Sequence, residues 1–179
     1  MILESVRIIS DWLQDATYGV NAKLALMSAA GLLDGSDTKP ADIVTFIEET
    51  NDARLARGRV PELPAQLPCL AVLQSGEVVV PAVVGTTYFD ADVTIAIWYV
   101  ARDKDSNDGR QDAMYTIRAI RQSLHELFKP ANSASRVRGK VQMFPTGEVT
   151  VPPLFTMQED VPISGAVELR VKVRDIDPD

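Results

Sequence analysis

The stretch at residues 109–130, GRQDAMYTIRAIRQSLHELFKP, predicts the helix on which the rest of the fold depends. Its apolar residues recur at steps of three and four, which places them along one side of an α-helix. They are Ala113, Ile117, Ile120, Leu124 and Leu127. Asp112 near the start and Lys129 near the end carry charges that suit the helix dipole, and Pro130 ends the helix. We therefore predict a helix at about 110–129 that buries one side and exposes the other.

The residues before this helix predict two more helices and an irregular region. Residues 2–16 have an amphipathic pattern, and residues 21–33 form an alanine-rich helical run. The side of the first helix that we expect to be buried contains Ile2, Val6, Ile9, Leu13 and Ala16, widened by Ile8 and Trp12. Residues 38–68 are predicted to be irregular or an insertion, with a short strand at 43–48 and either loop or helix directly after it.

Five other regions predict β-structure. Residues 69–74 and 77–80 are apolar runs around Ser75-Gly76, which favours a hairpin. Residues 91–101 are apolar on both sides, so this strand is expected to lie centrally in its sheet. Weaker strands are predicted at 136–143 and 148–154. Residues 166–174 alternate strictly between apolar and charged side chains, which indicates a strand with one buried face.

Together these elements predict a single α+β domain. Its sheet is antiparallel or mixed, with the long helix packed on one face and the N-terminal helices beside it. Residues 81–90 and 144–160 are predicted to be extended loops. Apolar and aromatic side chains lie in both of them between prolines and glycines, and they are either folded back on the sheet or covered by a partner.

The charge and composition exclude several classes of protein. The 179-residue chain has a net charge of −7, which disfavours tight, non-specific contact with duplex DNA or anionic membranes. No apolar run approaches the length of a membrane span, and the first residues do not have the pattern of a signal peptide. Cys69 is the only cysteine, so an internal disulfide is excluded. We expect a protein made in a reducing cytoplasm.

The sequence contains few residues suited to catalysis or metal binding. His125 is the sole histidine and follows the core residue Leu124, where solvent exposure explains it. Cys69 is expected to be a buried, inert thiol. The Asp- and Asn-rich residues 103–108 fail the calcium-loop pattern, since Gly109 comes one position late and Met114 replaces the bidentate glutamate. We predict no catalytic residue, no metal site, no cofactor and no enzymatic activity.

Two groups of basic residues have two interpretations. Arg54, Arg57 and Arg59 suit a solvated helix end, whereas Arg136, Arg138 and Lys140 are predicted to share one face of a strand. Ion pairs with the many acidic residues are the favoured explanation, and contacts between subunits are the alternative.

The order of elements and several residues resemble a known family. A turn at residues 19–24, GVNAKL, leads into the second helix, and a proline-rich approach, LPAQLPCLAV, precedes the β-region. A long strand then ends in YVAR, an acidic loop enters the helix DAMYTIRAIRQSL, and the last strand runs into VRD. This layout is similar to the tail-terminator and neck proteins of long-tailed bacteriophages.

The resemblance implies a structural virion protein that assembles into a homohexameric ring. One face of the ring would cap the tail tube protein and stop its polymerisation, and the other would meet the head-completion or connector protein. DNA would pass through the lumen without specific binding, and no membrane is involved. The residues predicted to contact other subunits or the tube are Arg118, Arg121, His125, Val83, Val84, Tyr88, Phe89, Phe144, Phe155 and Met157.

Two alternatives remain open at this point. The nearest is another head–tail connector, whose ring would follow a different symmetry. A less favoured one is a small-ligand- or metal-binding domain, or a hydrolase, that uses residues 103–108.

Overall fold

The computed structural model describes residues 2–33, 39–49, 67–80, 88–101, 106–150 and 163–176. These residues form a single α+β domain with a mixed sheet, as predicted. The helices are α1 (Ile2–Leu13), α2 (Val20–Ala29), α3 (Ser106–Leu127) and the 3-10 helix η1 (Pro130–Arg136). The strands are β1 (Thr45–Glu49), β2 (Cys69–Val80), β3 (Tyr88–Ala101), β4 (Val137–Arg138), β5 (Val141–Thr150) and β6 (Ile163–Ile176).

The six strands form one sheet in the order β1-β2-β3-β6-β5-β4. Strand β1 runs parallel to β2, and every other neighbouring pair is antiparallel. Strand β3 pairs with β2 on one side and along its full length with β6 on the other. The predicted central position of this strand is therefore confirmed, and it follows from side chains that are apolar on both faces.

The side of α3 that was predicted to be buried packs on the sheet. All five predicted core residues are buried, from Ala113 to Leu127. The helix begins earlier than predicted, at Ser106, and ends at Leu127, and Pro130 opens η1. The alternation in β6 is also confirmed: Val167, Leu169, Val171 and Val173 are buried, and the charged residues between them are exposed.

The hairpin predicted at Ser75-Gly76 is wrong. Strand β2 continues through these residues, and its pairing with β3 shifts register between Gln74 and Gly76. An extra residue in one of two paired strands is accommodated as a β-bulge, which needs no chain reversal. Because β3 is long enough to pair on both sides of the irregularity, β2 remains one strand.

The strand boundaries around Pro145 also differ from the prediction. Strand β5 runs through Pro145 with a register shift before Val149, so residues 144–150 belong to a strand and not to a loop. A proline removes one ladder hydrogen bond, which an irregular point in a strand tolerates. Residues 88–90 likewise belong to β3. The other parts of the two predicted loops, 81–87 and 151–160, lie outside the described residues.

The basic residues after α3 do not share a strand face as predicted. Arg136 ends η1, Arg138 lies in the two-residue strand β4, and Lys140 lies in the turn that follows. The segment turns at Gly139, so a period of two cannot be maintained. Arg138 forms an ion pair with Asp11 of α1, which confirms the ion-pair interpretation for that residue. Residues 50–66, including the first basic group, lie outside the described residues.

Helix α1 packs against α3 through a buried tryptophan. The indole nitrogen of Trp12 donates a hydrogen bond to the backbone oxygen of Ser123 at 2.8 Å. The Trp12 ring stacks on Tyr18, with centroids 5.0 Å apart. Helix α1 ends at Leu13, and Ala16 is exposed, so its predicted place in the core is wrong. The backbone turns after Leu13 toward α2, which removes Ala16 from the buried side.

Two residues determine where α2 begins. A Cβ atom at Gly19 would lie 2.4 Å from the backbone oxygen of Asp15 and 2.5 Å from that of Leu13, so only glycine fits this turn. The side-chain amide of Asn21 then forms two hydrogen bonds with the backbone of Ile43, one through its nitrogen and one through its oxygen. Its nitrogen donates to the Ile43 oxygen at 3.0 Å, and its oxygen accepts from the Ile43 nitrogen at 2.8 Å. Helix α2 is thereby tied to the segment that enters β1.

Candidate interaction groove

A groove of about 860 Å³ lies on the helical side of the sheet. Its walls are α2 with the residues after it, the C-terminal half of α3, and the adjoining parts of β5 and β6. Helix α2 ends at Ala29, and Leu32 extends that wall beyond the helix end. The groove is therefore assembled from four segments of the chain.

The apolar part of the groove is exposed to solvent. Leu26 of α2 is 57% exposed, Leu32 is 46% exposed and Val149 of β5 is 40% exposed. Single exposed apolar side chains are common, but a group of them around one concave surface is typical of a binding site for another protein. In the protein alone, this surface leaves large side chains in contact with water.

The polar part of the groove comes from the exposed side of α3. Arg118, Arg121 and His125 follow one another at steps of three and four, and all three are exposed and line the groove. The structure thus brings together three residues that the sequence had predicted to contact partners. Arginine is favoured at protein interfaces because its planar guanidinium group binds carboxylates with two parallel hydrogen bonds.

Glu126, an acidic residue that lines the groove, is already paired with two lysines. Glu126 accepts a hydrogen bond from Lys129 at 2.8 Å and lies 3.9 Å from the ammonium group of Lys23. The bond from Lys129, with the charge of Lys23, lowers the pKa of Glu126. Among the described residues, neither Arg118 nor Arg121 has a carboxylate within ion-pair distance. The groove consequently has cationic groups available for a partner.

Phe144, the other predicted contact residue whose side chain is described, does not line this groove. Phe144 lies on the opposite face of the sheet, half-buried, with the guanidinium of Arg174 5.6 Å from its ring centre. Tyr88 and Phe89 lie in strand β3, where a loop had been predicted. Val83, Val84, Phe155 and Met157 lie outside the described residues.

The apolar residues of the groove were not predicted from the sequence. Leu26 lies in α2 on the side away from the buried residues Leu24 and Met27. Helix α2 therefore has apolar residues on both of its sides, and this pattern was the signal in the sequence for an exposed apolar surface. Nothing in the local pattern of Leu32 or Val149 indicates that they line the same groove as Leu26, because that arrangement depends on the packing of the helices on the sheet.

Potentially reactive groups in the described residues are buried or isolated. Burial raises the pKa of the Cys69 thiol, and Cys69 is buried as predicted. Burial raises the pKa of Tyr99 to about 12, a hydrogen bond with Thr116 opposing the shift. Within the described ranges, no three residues of the His, Cys, Asp or Glu types are placed to hold a metal ion. Residues 106–108 begin α3, and residues 102–105 lie outside the described part of the chain.

The helices of the described segments include none that is both long and apolar enough to cross a membrane. No protein-family model matches the chain, and no curated protein has a significantly similar sequence.

Proposed function

We propose that this protein is a structural component of a bacteriophage virion, located at the junction of tail and head. It acts as a tail terminator: a homohexameric ring that caps the tail tube, stops its polymerisation and joins the tail to the head connector. Its action depends on complementary surfaces, and no covalent bond is made or broken. The proposal combines the resemblance in the order of elements with a surface that is suited to binding another protein.

The observation that carries the proposal is the groove between α2 and α3. It combines three exposed apolar side chains with Arg118, Arg121 and His125 on one concave surface. Interfaces that bind tightly have an apolar centre with arginine or aromatic side chains around it. This composition favours a protein partner over a small polar substrate.

The overall charge is compatible with a ring through which DNA passes. A net charge of −7 on each subunit gives an assembled ring a strongly negative potential, which weakens contact between DNA and its inner surface. Movement of DNA through a lumen requires such weak contact. Tight binding to phosphates would need clustered positive charges instead.

The test is to measure the mass and symmetry of the purified protein by mass photometry and negative-stain imaging. Samples at increasing concentration are compared with and without the tube protein of the same virion. We expect six-fold rings, either free or on the ends of tubes. A protein that stays monomeric in both conditions would overturn the proposal, and twelve-fold rings would favour a head-completion connector.

A metal titration addresses the alternative of a metal-binding domain. Specific binding of a cation to the folded state must raise the melting temperature with cation concentration. We expect millimolar calcium or magnesium to leave the melting temperature unchanged within about 1 °C, and a strong rise would contradict a purely structural role.

A further inference from the structure

The groove is suited to a partner that has both apolar and acidic side chains. Leu26, Leu32 and Val149 present exposed apolar surface, while Arg118 and Arg121 extend from α3 without a carboxylate partner among the described residues. A partner with apolar side chains would remove that surface from water. Carboxylates on the same partner would pair with the two guanidinium groups.

The chain itself contains a segment with this composition. Residues 154–160 have the sequence LFTMQED, in which Leu154, Phe155 and Met157 precede Glu159 and Asp160. The segment follows β5, the strand that contributes Val149 to the groove. Its order of apolar and then acidic side chains complements a groove that has both features.

Other acidic stretches of the chain suit the groove less well. Residues 103–108, DKDSND, have no apolar side chain, and residues 175–179, DIDPD, have a single isoleucine. The apolar and acidic run TFIEE at Thr45–Glu49 is already paired with β2 as strand β1. Residues 154–160 thus combine more apolar side chains with their acidic residues than either 103–108 or 175–179.

We propose that the groove of one subunit binds residues 154–160 of a second copy of this chain, and that this contact joins neighbouring subunits. The inference rests on the proposed ring, since it names the surfaces by which the ring would close. Each subunit contributes its groove to one neighbour and its segment to the other. This head-to-tail arrangement generates a closed ring when the rotation between subunits is suitable.

The test uses two variants with opposite charge reversals. Variant A carries Arg118→Glu and Arg121→Glu in the groove, and variant B carries Glu159→Arg and Asp160→Arg in the segment. A control carries Lys140→Glu and Lys172→Glu, two exposed lysines outside the groove. The control changes the net charge by the same amount as variant A. All three are compared with the unmodified protein by mass photometry, and circular dichroism checks that each is folded.

We expect A alone and B alone to associate at least about 100-fold more weakly than the unmodified protein, because each contact would join like charges. The control should assemble normally. A mixture of A and B should assemble, since the reversed groove of A accepts the reversed segment of B and the remaining contacts are unchanged. With a mass tag on one variant, the ring should contain A and B in equal numbers.

Three results would overturn the inference. If A and B each assemble like the unmodified protein, rings exist but the groove is not their contact, and the proposed function stands. If the mixture fails while a single chain with all four reversals assembles, the segment lies in the groove of its own chain. If the unmodified protein is monomeric even with tube protein, the proposed ring and the inference fail together.

Discussion

The two sides of α3 differ in nearly every physical respect. The inner side, from Ala113 to Leu127, is buried against the sheet and against α1. The outer side runs from Met114 through Arg118 and Arg121 to His125 and is exposed along its length. The inner side stabilises the fold through apolar burial, which is not specific to any partner. The outer side is exposed and contributes little to folding, and it belongs to the surface that we propose to be an interface.

This comparison separates substitutions that unfold the protein from those that affect only its assembly. Substitutions on the inner side should change the free energy of unfolding strongly. Substitutions on the outer side should leave the free energy of unfolding nearly unchanged while altering the association of subunits. Two of the four predictions that follow test this separation directly, and the other two test how strongly single positions of the fold determine its stability.

The largest effect is expected on the inner side of α3. Leu124 is buried in the main core cluster, and Leu124→Ala should lower the free energy of unfolding by about 3 kcal/mol, since it removes apolar contacts and leaves a cavity. Urea denaturation followed by circular dichroism measures this change. Arg118→Ala, one and a half turns away on the outer side, is the control and should change it by less than about 0.5 kcal/mol. Equal effects at the two positions would refute the separation.

A second large effect is expected where the chain turns into α2. Gly19→Ala should destabilise the fold by about 2 kcal/mol, because the new methyl group meets two backbone oxygens that cannot move independently. The melting temperature reports this change. Ala16→Ser, at an exposed position in the same turn, should leave the melting temperature within about 1 °C. A fully stable Gly19→Ala variant would show that the turn adjusts and that the position of α2 is less constrained than its contacts indicate.

A third prediction concerns pH and the buried hydroxyl of Tyr99. Its folded pKa of about 12 lies above the ordinary value of 10, so folding favours the neutral form. The resulting stabilisation is fully present below pH 10 and is lost as the pH rises through 12. The stability lost by pH 12 is about 2 kcal/mol. Tyr99→Phe should therefore lose less stability than the unmodified protein between pH 10 and 12. Tyr18→Phe, which removes an exposed hydroxyl, should retain the full decrease.

The smallest effect on folding is expected in the groove. Leu26→Gln should change the free energy of unfolding by less than about 0.5 kcal/mol, because the side chain is largely exposed. The same substitution should weaken self-association about tenfold, as expected for loss of one apolar interface contact. Val44→Gln replaces a similarly exposed apolar residue outside the groove and should leave association unchanged. Equal association for the two variants would argue against the groove as an interface.

Patterns confined to one element were predictable from the sequence. The inner side of α3 and the alternating faces of β6 follow from helical and strand periodicity, and both are confirmed. The exposure of Arg118, Arg121 and His125 follows from the same helical pattern. In each case the information lies within a few turns or residues of the position concerned.

Features that depend on two distant segments were not predictable in this way. Ser75-Gly76 suits either a hairpin or a bulge, and the long partner strand β3 decides between them. The pairing of Asn21 with Ile43 also requires the complete fold, as does the placement of Leu26 and Val149 around one groove. Local patterns therefore predicted the cationic half of the groove, and its apolar half emerged only from tertiary packing.

The two tryptophans have a practical consequence, since they are positioned as intrinsic fluorescent reporters on opposite sides of the sheet. Trp12 is only 7% exposed within the helical layer, so its emission should be blue-shifted and protected from a quencher such as iodide. Trp98 is 39% exposed on the face away from α3, where iodide reaches it. A partner that covers the outer face of the sheet would protect Trp98 from quenching. A partner in the groove would leave that quenching unchanged, so unlabelled protein reports which face is occupied.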